Sequence, residues 1–489
     1  MAILSSDLIR QGASGATTAS YPISQSIRFD VGASPEMSRT HGTGGNTDLF
    51  TVSFWFKRGR MTTQVVNDEM HIFGSGADTN NTFDVQFSKT DQIHVWDYHS
   101  AYVTRLKTNR QFRDPSAWYH FVFVYDSGQI TPNERARLYI NGLRETDFEE
   151  ETYPSQNQDS IVGTNVTIGF GNYISYGSKY FDGYLAEMHY VNGYGYGPEN
   201  FGEFKENTDI WVPKEFEGNY GSKGFFVDGR DSSDLGDDES GNGNDLSTSG
   251  LAAHDQVLDT PTNNWCTINS IYADDASAGN AGTLSEGNLK FVGGGSTFSV
   301  RGLTYNLPKS GKWYFEYMIG GSVDGFGYVI EGEQGTINAS NGPGQLSVSQ
   351  GGGIQYHGWR NGGNPTVNFM DGNTGSPFTA GFIHQVAIDV DGGKFYYGVK
   401  NTYYAADTGN DGNPSAGTNH IATFAFSTND VVLLAGNYSG TQYWNFGQDG
   451  TFAGQQTAQG NSDANGLGNF FYAPPTGYLA LCSSNLGAV

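Results

Sequence analysis

Short runs in which apolar and polar residues alternate, each closed by Gly, Asn, Asp or Pro, recur along this chain and leave few folds open to it. "SIRFDV", "FTVSFWFKR", "FDVQFS", "QIHVWDY", "WYHFVFVYD", "RARLYING", "NVTIGFG" and "YFDGYLAEMHYV" follow one another between Ser26 and Val191. A period of two sends alternate side chains to opposite faces, so each run reads as a half-buried strand, and the close spacing of the runs is that of an antiparallel sandwich. Asn141-Gly142 between two runs predicts a tight hairpin, because both residues tolerate the positive φ of a type I′ turn.

Past Asp228 the texture changes. Residues 229–284 are rich in Gly, Ser, Asn and Asp and read as a linker. A second strand series follows, with "GNLKFVG", "STFSVRGL", "GKWYFEYMIG", "GFGYVIEG", "HQVAIDVDGGKFYYGVK", "VVLLAGN" and "YWNFGQ". At 489 residues the chain is too long for one sandwich and fits two domains of roughly 200 residues. Aromatic residues at 14% and 69 glycines agree with many strands and tight turns. The expected fold class is all-β, two consecutive antiparallel β-sandwiches at 21–228 and 285–489, preceded by a separate segment at 1–20.

Acidic residues number 51 against 26 basic ones, a formal net charge of -25 with no basic stripe, so nucleic acid is not an expected partner. Cys266 and Cys482 are too few for a disulfide scaffold and lack the paired spacing of a zinc site. No apolar window reaches membrane length, so no membrane insertion is expected. In the first twenty residues Ile3, Leu4, Leu8 and Ile9 form one short apolar handle ahead of the small, polar "QGASGATTAS", a composition suited to docking on a partner.

Three acids stand at alternate positions in "RETDFEEE": Glu145, Asp147 and Glu149. On one strand they would share a face, and the pattern resembles the acidic ladder of concanavalin A-like glucanases. Strand rise sets Glu145 and Glu149 roughly 13 Å apart, whereas retaining glycosidases hold their carboxyls about 5–5.5 Å apart. In a two-residue hairpin Leu138 and Ala136 would stand opposite Glu145 and Asp147 and set the acids beside core-type residues, so the strand is expected to end or bulge here and to leave a solvated acidic edge, with no catalytic residue. His120 lies in an inner strand with no nucleophile motif nearby and reads as a packed histidine.

Two kinds of binding site are suggested. In "DGRDSSDLGDDESGNGND" the oxygen-bearing Asp238, Asn242 and Asn244 are candidate calcium ligands, since calcium takes six to eight oxygens. Aromatic, amide-rich loops offer Trp96 and Tyr98 in "HVWDYHSAY", and Tyr356, His357 and Trp359 in "GGGIQYHGWRNGGN". Sugar rings stack on such side chains while amides and acids bond the hydroxyls.

"SIRFDVGASPEMSRTHGTGGNTDLFTVSFWFKRG", "FRDPSAWYHFVFVYD", "RLYINGLRETDFEEETYPSQN" and "YFDGYLAEMHYVNG" closely resemble the laminin G-like domain of tailed-phage virion proteins. Downstream, "DESGNGNDL", "DTPTNNWCTIN", "SGKWYFEYMI", "VAIDVDGGKFYYG", "NFGQDG" and "FYAPPTGYLALC" resemble the SPRY-like domain that often follows it. The resemblance implies a concanavalin A-like jelly roll and then a SPRY-like sandwich, displayed on the virion surface. It further implies a non-enzymatic fibre or adhesin that binds host cell-surface carbohydrate, has other virion proteins as partners, and assembles with itself, a trimer being favoured; the apolar handle of residues 1–20 is expected to be the virion-attachment segment, docking on a neighbouring subunit or a virion protein. A structural capsid-decoration, head-fibre or tail component is the alternative within that context, and a glycan depolymerase the alternative outside it. In that family the strand after "NG" carries apolar and small polar residues, so the acids of "ETDFE" depart from its pattern.

Overall fold

The computed structural model describes residues 21–65, 69–172, 174, 177–273, 282–294, 299–320, 325–331, 337–338, 347–348, 379–405, 411–423, 431–437 and 440–487. Regular structure is almost entirely β, and among the described residues no helix is long and apolar enough to cross a membrane. The chain divides into two compact units, the first closing at Thr262 and the second running on from Asn263.

The strands of the first unit are β1 (Ser26–Phe29), β2 (Glu36–Thr40), β3 (Leu49–Arg58), β4 (Met70–Asp78), β5 (Asn81–Phe87), β6 (Gln92–His99), β7 (Tyr102–Gln111), β8 (Trp118–Asp126) and β9 (Ala136–Ile140). They continue with β10 (Leu143–Arg144), β11 (Phe148–Thr152), β12 (Thr167–Phe170), β13 (Gly183–Asn192), β14 (Gly202–Phe204), β15 (Trp211–Pro213), β16 (Phe225–Val227), β17 (Ser247–Ser249) and β18 (Gln256–Val257). Two eight-stranded sheets result. The back sheet runs β10-β9-β8-β3-β13-β1-β18, with β16 also on β13, and the front sheet runs β11-β7-β6-β5-β4-β12-β2-β17. Alternation works as the sequence predicts: Phe54 and Phe56 on β3, Phe121 and Phe123 on β8, and Phe83 and Val85 on β5 are fully buried in one core drawn from both sheets. Phe54 faces Phe121 across the ladder with ring centroids 4.6 Å apart, and each such ring contributes roughly 1.5–3 kcal/mol by burial. The Asn141-Gly142 hairpin forms with φ of 50° and 77°.

Over its described residues the expected linker at 229–284 is not one. Its first part belongs to the first unit: β17 pairs with β2, β18 pairs with β1, and Leu235 and Leu246 enter the core. Gly236 is there for close approach, since a Cβ would stand 1.9 Å from the Leu246 carbonyl oxygen. Asp259 is fully buried, ion-paired to Lys57 at 2.7 Å and bonded by the Trp118 indole N–H at 3.0 Å. Beyond Thr262, the strands Ile268–Ala273 and Thr283–Ser285 belong to the second unit. Gly, Ser, Asn and Asp of residues 229–262 serve ordered turns rather than a flexible tether.

The outer side of the back sheet is closed by the 194–224 excursion, whose Phe201, Phe216 and Tyr220 pack on Val122, Val124 and Val191. His120 is packed there, as expected. It stacks on Trp55 at 4.7 Å, pairs through Nε2 with Ser53 Oγ at 2.9 Å, and accepts the Trp211 indole N–H at Nδ1, 3.0 Å away. Burial pushes its pKa down to about 3, so the ring is neutral.

In the second unit Ile268–Ala273, Ser299–Leu307, Val431–Asn437 and Gly325–Glu331 form one sheet in that order. The larger sheet sets Lys312–Ile319 between Thr441–Asn445 and Ile383–Asp389. Trp313, Phe315, Tyr317, Trp444 and Phe446 fill its core. Cys266 and Cys482 are both buried and unbonded to each other.

Candidate functional site

On β6 the alternation of "QIHVWDY" buries Ile93 and Val95 completely and turns Gln92, His94, Trp96 and Tyr98 to the outer side of the front sheet. Register then fixes their neighbours. Trp96 stands opposite Asp84 on β5 and Arg105 on β7, His94 is beside Gln86 and Lys107, and Tyr98 is beside Thr82 and Tyr102. The three rings form one edge-on cluster: Trp96 lies 6.3 Å from Tyr98 at 76° and 6.2 Å from Tyr102 at 81°, and the two tyrosines are 5.1 Å apart at 68°. Trp96 and Tyr98 are partly exposed and Tyr102 is 44% exposed, with the Arg105 guanidinium 4.3 Å from its ring centroid. No sequence pattern singles out Tyr102 and Arg105. Only the β6–β7 register brings them to Trp96, although a ring in the same "HVWDYHSAY" hairpin was the available signal.

Beside this open patch the face is closed. Thr82 and Asp84 are fully buried although they point away from the core, and a Cβ at Gly74 would come within 3.3 Å of Ile174 from the loop after β12. Asp84 pairs with His71 Nδ1 at 2.9 Å and accepts the Thr82 hydroxyl at 2.9 Å; burial raises its pKa against these partners.

The charged groups here are matched. Arg105 Nε bonds Glu150 and lies 3.4 Å from His94 Nε2. Lys107 is 3.1 Å from Glu149 and 3.8 Å from Glu150, and the Gln92 amide donates to Glu149 at 2.5 Å. Those hydrogen bonds, from Gln92 and then Lys107, hold the Glu149 pKa below its usual value. His94 is brought down to about 3, chiefly by burial and then by Arg105 and Lys107, so it carries no charge.

The acidic ladder does not exist as a ladder. β10 ends at Arg144 on the back sheet, and β11 begins at Phe148 on the front sheet, with an irregular register between Phe148 and Glu150. Glu145 and Glu149 therefore belong to the edges of different sheets, and the strand ends between them as expected. Asp147 accepts the Asn109 amide at 2.6 Å. Glu145 borders a cavity of about 90 Å³ with Phe148, Glu151 and Tyr153, and burial raises its pKa.

The three candidate calcium ligands are brought together, but as a clasp. Each Asp238 carboxylate oxygen accepts two donors, Oδ1 from the amides of Phe226 and Ser240 and Oδ2 from the Ser240 hydroxyl and the Asn244 amide, at 2.8–2.9 Å. The side-chain amides of Asn242 and Asn244 both donate to the Gly224 carbonyl, at 2.9 and 2.8 Å. Oxygens already ringed by protein donors suit a structural loop better than a cation cage. Tyr356, His357 and Trp359, and Ile3, Leu4, Leu8 and Ile9, lie outside the described residues.

Residues 34–193 match the family model described as the concanavalin A-like lectin/glucanases superfamily, of laminin G type. Among curated proteins none matches this sequence. Solved structures similar to part of it include the native heptameric SAP-like pentraxin from Limulus polyphemus, at 13% identity over 35% of this chain and 78% of that one with a TM-score of 0.26. A CBM40 of the Ruminococcus gnavus IT-sialidase, bound to α2,3 sialyllactose, is 12% identical over 34% of this chain and 85% of that one, TM-score 0.22. The botulinum neurotoxin type G receptor binding domain is 16% identical over 31% of this chain and 36% of that one, TM-score 0.22. Scores this low bear on neither ligand nor activity. The family match, with two eight-stranded sheets around one core, makes the first unit a laminin G-like domain of the concanavalin A-like fold.

Proposed function

We propose that this protein is a non-catalytic carbohydrate-binding protein of a phage particle's surface, and that the outer side of its front sheet holds the sugar. One observation carries the binding: Trp96, Tyr98 and Tyr102 form a partly exposed ring cluster on a face whose other side chains are polar. A pyranose presents apolar C–H faces that pack on such rings, while Arg105 and the carboxylates beside it bond hydroxyls. The separation of Glu145 from Glu149 onto two sheet edges supports binding without cleavage. The phage setting, with virion proteins and a host glycan as partners and a trimer as the assembly, is supported by the order of the sequence motifs along nearly the whole chain. Several copies of one weak site would gain avidity on a cell.

Binding of the protein to an array of bacterial surface glycans tests this reading. Retention on at least one glycan, lost in Trp96→Ala while the melting temperature is kept, is the expected result. Retention unchanged in Trp96→Ala and Tyr102→Ala would remove the site.

A further inference from the structure

The charges around Trp96 decide what kind of sugar fits. Three cations lie on or beside this face, Arg105, Lys107 and Lys179, and each already holds a carboxylate: Glu150, Glu149 and Glu69 respectively. Glu150 also lies 3.8 Å from Lys107. Beside Trp96 the two cations Arg105 and Lys107 are thus matched by two acids, Glu149 and Glu150, and Asp84 stands opposite the ring across the register. His94, the histidine next to Trp96 on β6, adds no positive charge at neutral pH. Glu149 is the most exposed partner, at 47%, so an approaching anion meets a carboxylate before it meets Lys107 at 15%.

From this arrangement we infer that the Trp96 face takes neutral, hydroxyl-rich glycans and rejects those bearing carboxylates or sulfates. The inference rests on the carbohydrate-binding reading above and adds the substrate class. Arg105 holds Glu150 through Nε, so an acidic sugar taking the remaining guanidinium donors would set its anion beside the Glu150 carboxylate, with one positive charge shared between the two. A neutral sugar brings no second anion. Its hydroxyls donate to Glu149 and Glu150 and accept from Arg105 while the ion pairs stay closed, and its C–H faces lie on the rings. The net charge of -25 acts in the same direction at longer range.

The test uses the full chain and matched probes: neutral oligosaccharides of glucose, mannose, galactose and N-acetylglucosamine, and their uronate, sialylated or sulfated counterparts. The expected result is that a neutral probe binds, that its acidic counterpart binds at least about ten-fold more weakly at low salt, and that raising salt narrows this gap while leaving neutral binding nearly unchanged. Glu150→Gln, which releases Arg105, should then strengthen the acidic counterpart several-fold without improving the neutral probe. Equal or better binding of the acidic probe by the unaltered protein overturns the inference and leaves the carbohydrate-binding reading standing. No retention of any probe, neutral or acidic, overturns both. Weak binding of the acidic probe that Glu150→Gln fails to raise would show that the Arg105–Glu150 pair is not what excludes it, and would also overturn the inference.

Discussion

Tyr314 donates its hydroxyl to Glu316 at 2.7 Å, inside the second unit, on a carboxylate that is fully buried. The same carboxylate accepts the backbone amides of Phe471 and Tyr472 at 2.9 and 2.8 Å, and so fastens the late segment of the chain to the strand Lys312–Ile319. Burial outweighs these donors and raises the Glu316 pKa from 4.5 to about 7.

That shift sets a pH dependence with a definite sign. Between 4.5 and about 7 the unfolded chain has released this proton while the folded chain retains it, so the stability Glu316 contributes is whole below 4.5 and is lost as pH rises through about 7. Glu316→Gln keeps a neutral side chain at every pH. Denaturant melts of the two proteins should show the unaltered protein losing stability relative to the variant across that window. Parallel curves would mean that Glu316 is ionised in the fold at all these pH values.

A buried ion pair tests where the first unit ends. Lys57 and Asp259 are 2.7 Å apart with both side chains fully buried, and Asp259 lies in the stretch that reads as a linker. Lys57→Met strands a buried carboxylate and should cost about 3–5 kcal/mol, whereas adding Asp259→Leu should recover much of the loss. If residues 229–262 were a tether, neither change would move the melting of the first unit.

How much of this was legible follows from what each signal depends on. The strands of the first unit could be read because burial on one face imposes a period of two on the residues themselves, as in Ile93 and Val95 against His94 and Trp96. The role of residues 229–262 could not, because Asp238 and Gly236 use in an ordered turn the same chemistry that a flexible linker uses. Trp96 and Tyr98 were visible as rings, but Tyr102 and Arg105 join them through a register with an irregularity between Asp97 and Tyr98, which no local pattern encodes. The acids of "ETDFE" look like one strand, and their spacing, with their departure from the pattern of the resembled family, argues against catalysis. That they divide between two sheets depends on the chain crossing the sandwich edge.

The divided acids give a prediction of their own. Glu145 and Glu149 stand on different sheet edges, and Glu149 is held by Gln92 and Lys107. Incubation with cell-surface polysaccharide should release no reducing ends, and Glu145→Gln and Glu149→Gln should change nothing in that assay. Product release that either substitution abolishes would restore the depolymerase reading.

Asp238 separates a structural clasp from a metal site. Its two oxygens take four donors from Phe226, Ser240 and Asn244, and so tie the loop before β17 to strand β16. Replacing it by Ala leaves three backbone amides without their acceptor, and a lost acceptor for a buried donor costs about 1–3 kcal/mol. Asp238→Ala should therefore lower the melting temperature of the first unit by several degrees whether or not calcium is present. Asp238→Asn isolates the point, because an amide keeps one acceptor oxygen and the shape but weakens a calcium ligand. A clasp predicts a smaller loss for Asn than for Ala, with no effect of millimolar calcium or of chelator on the unaltered protein. A metal site predicts that calcium raises the melting temperature of the unaltered protein, that chelator lowers it, and that Asn and Ala are equally damaging.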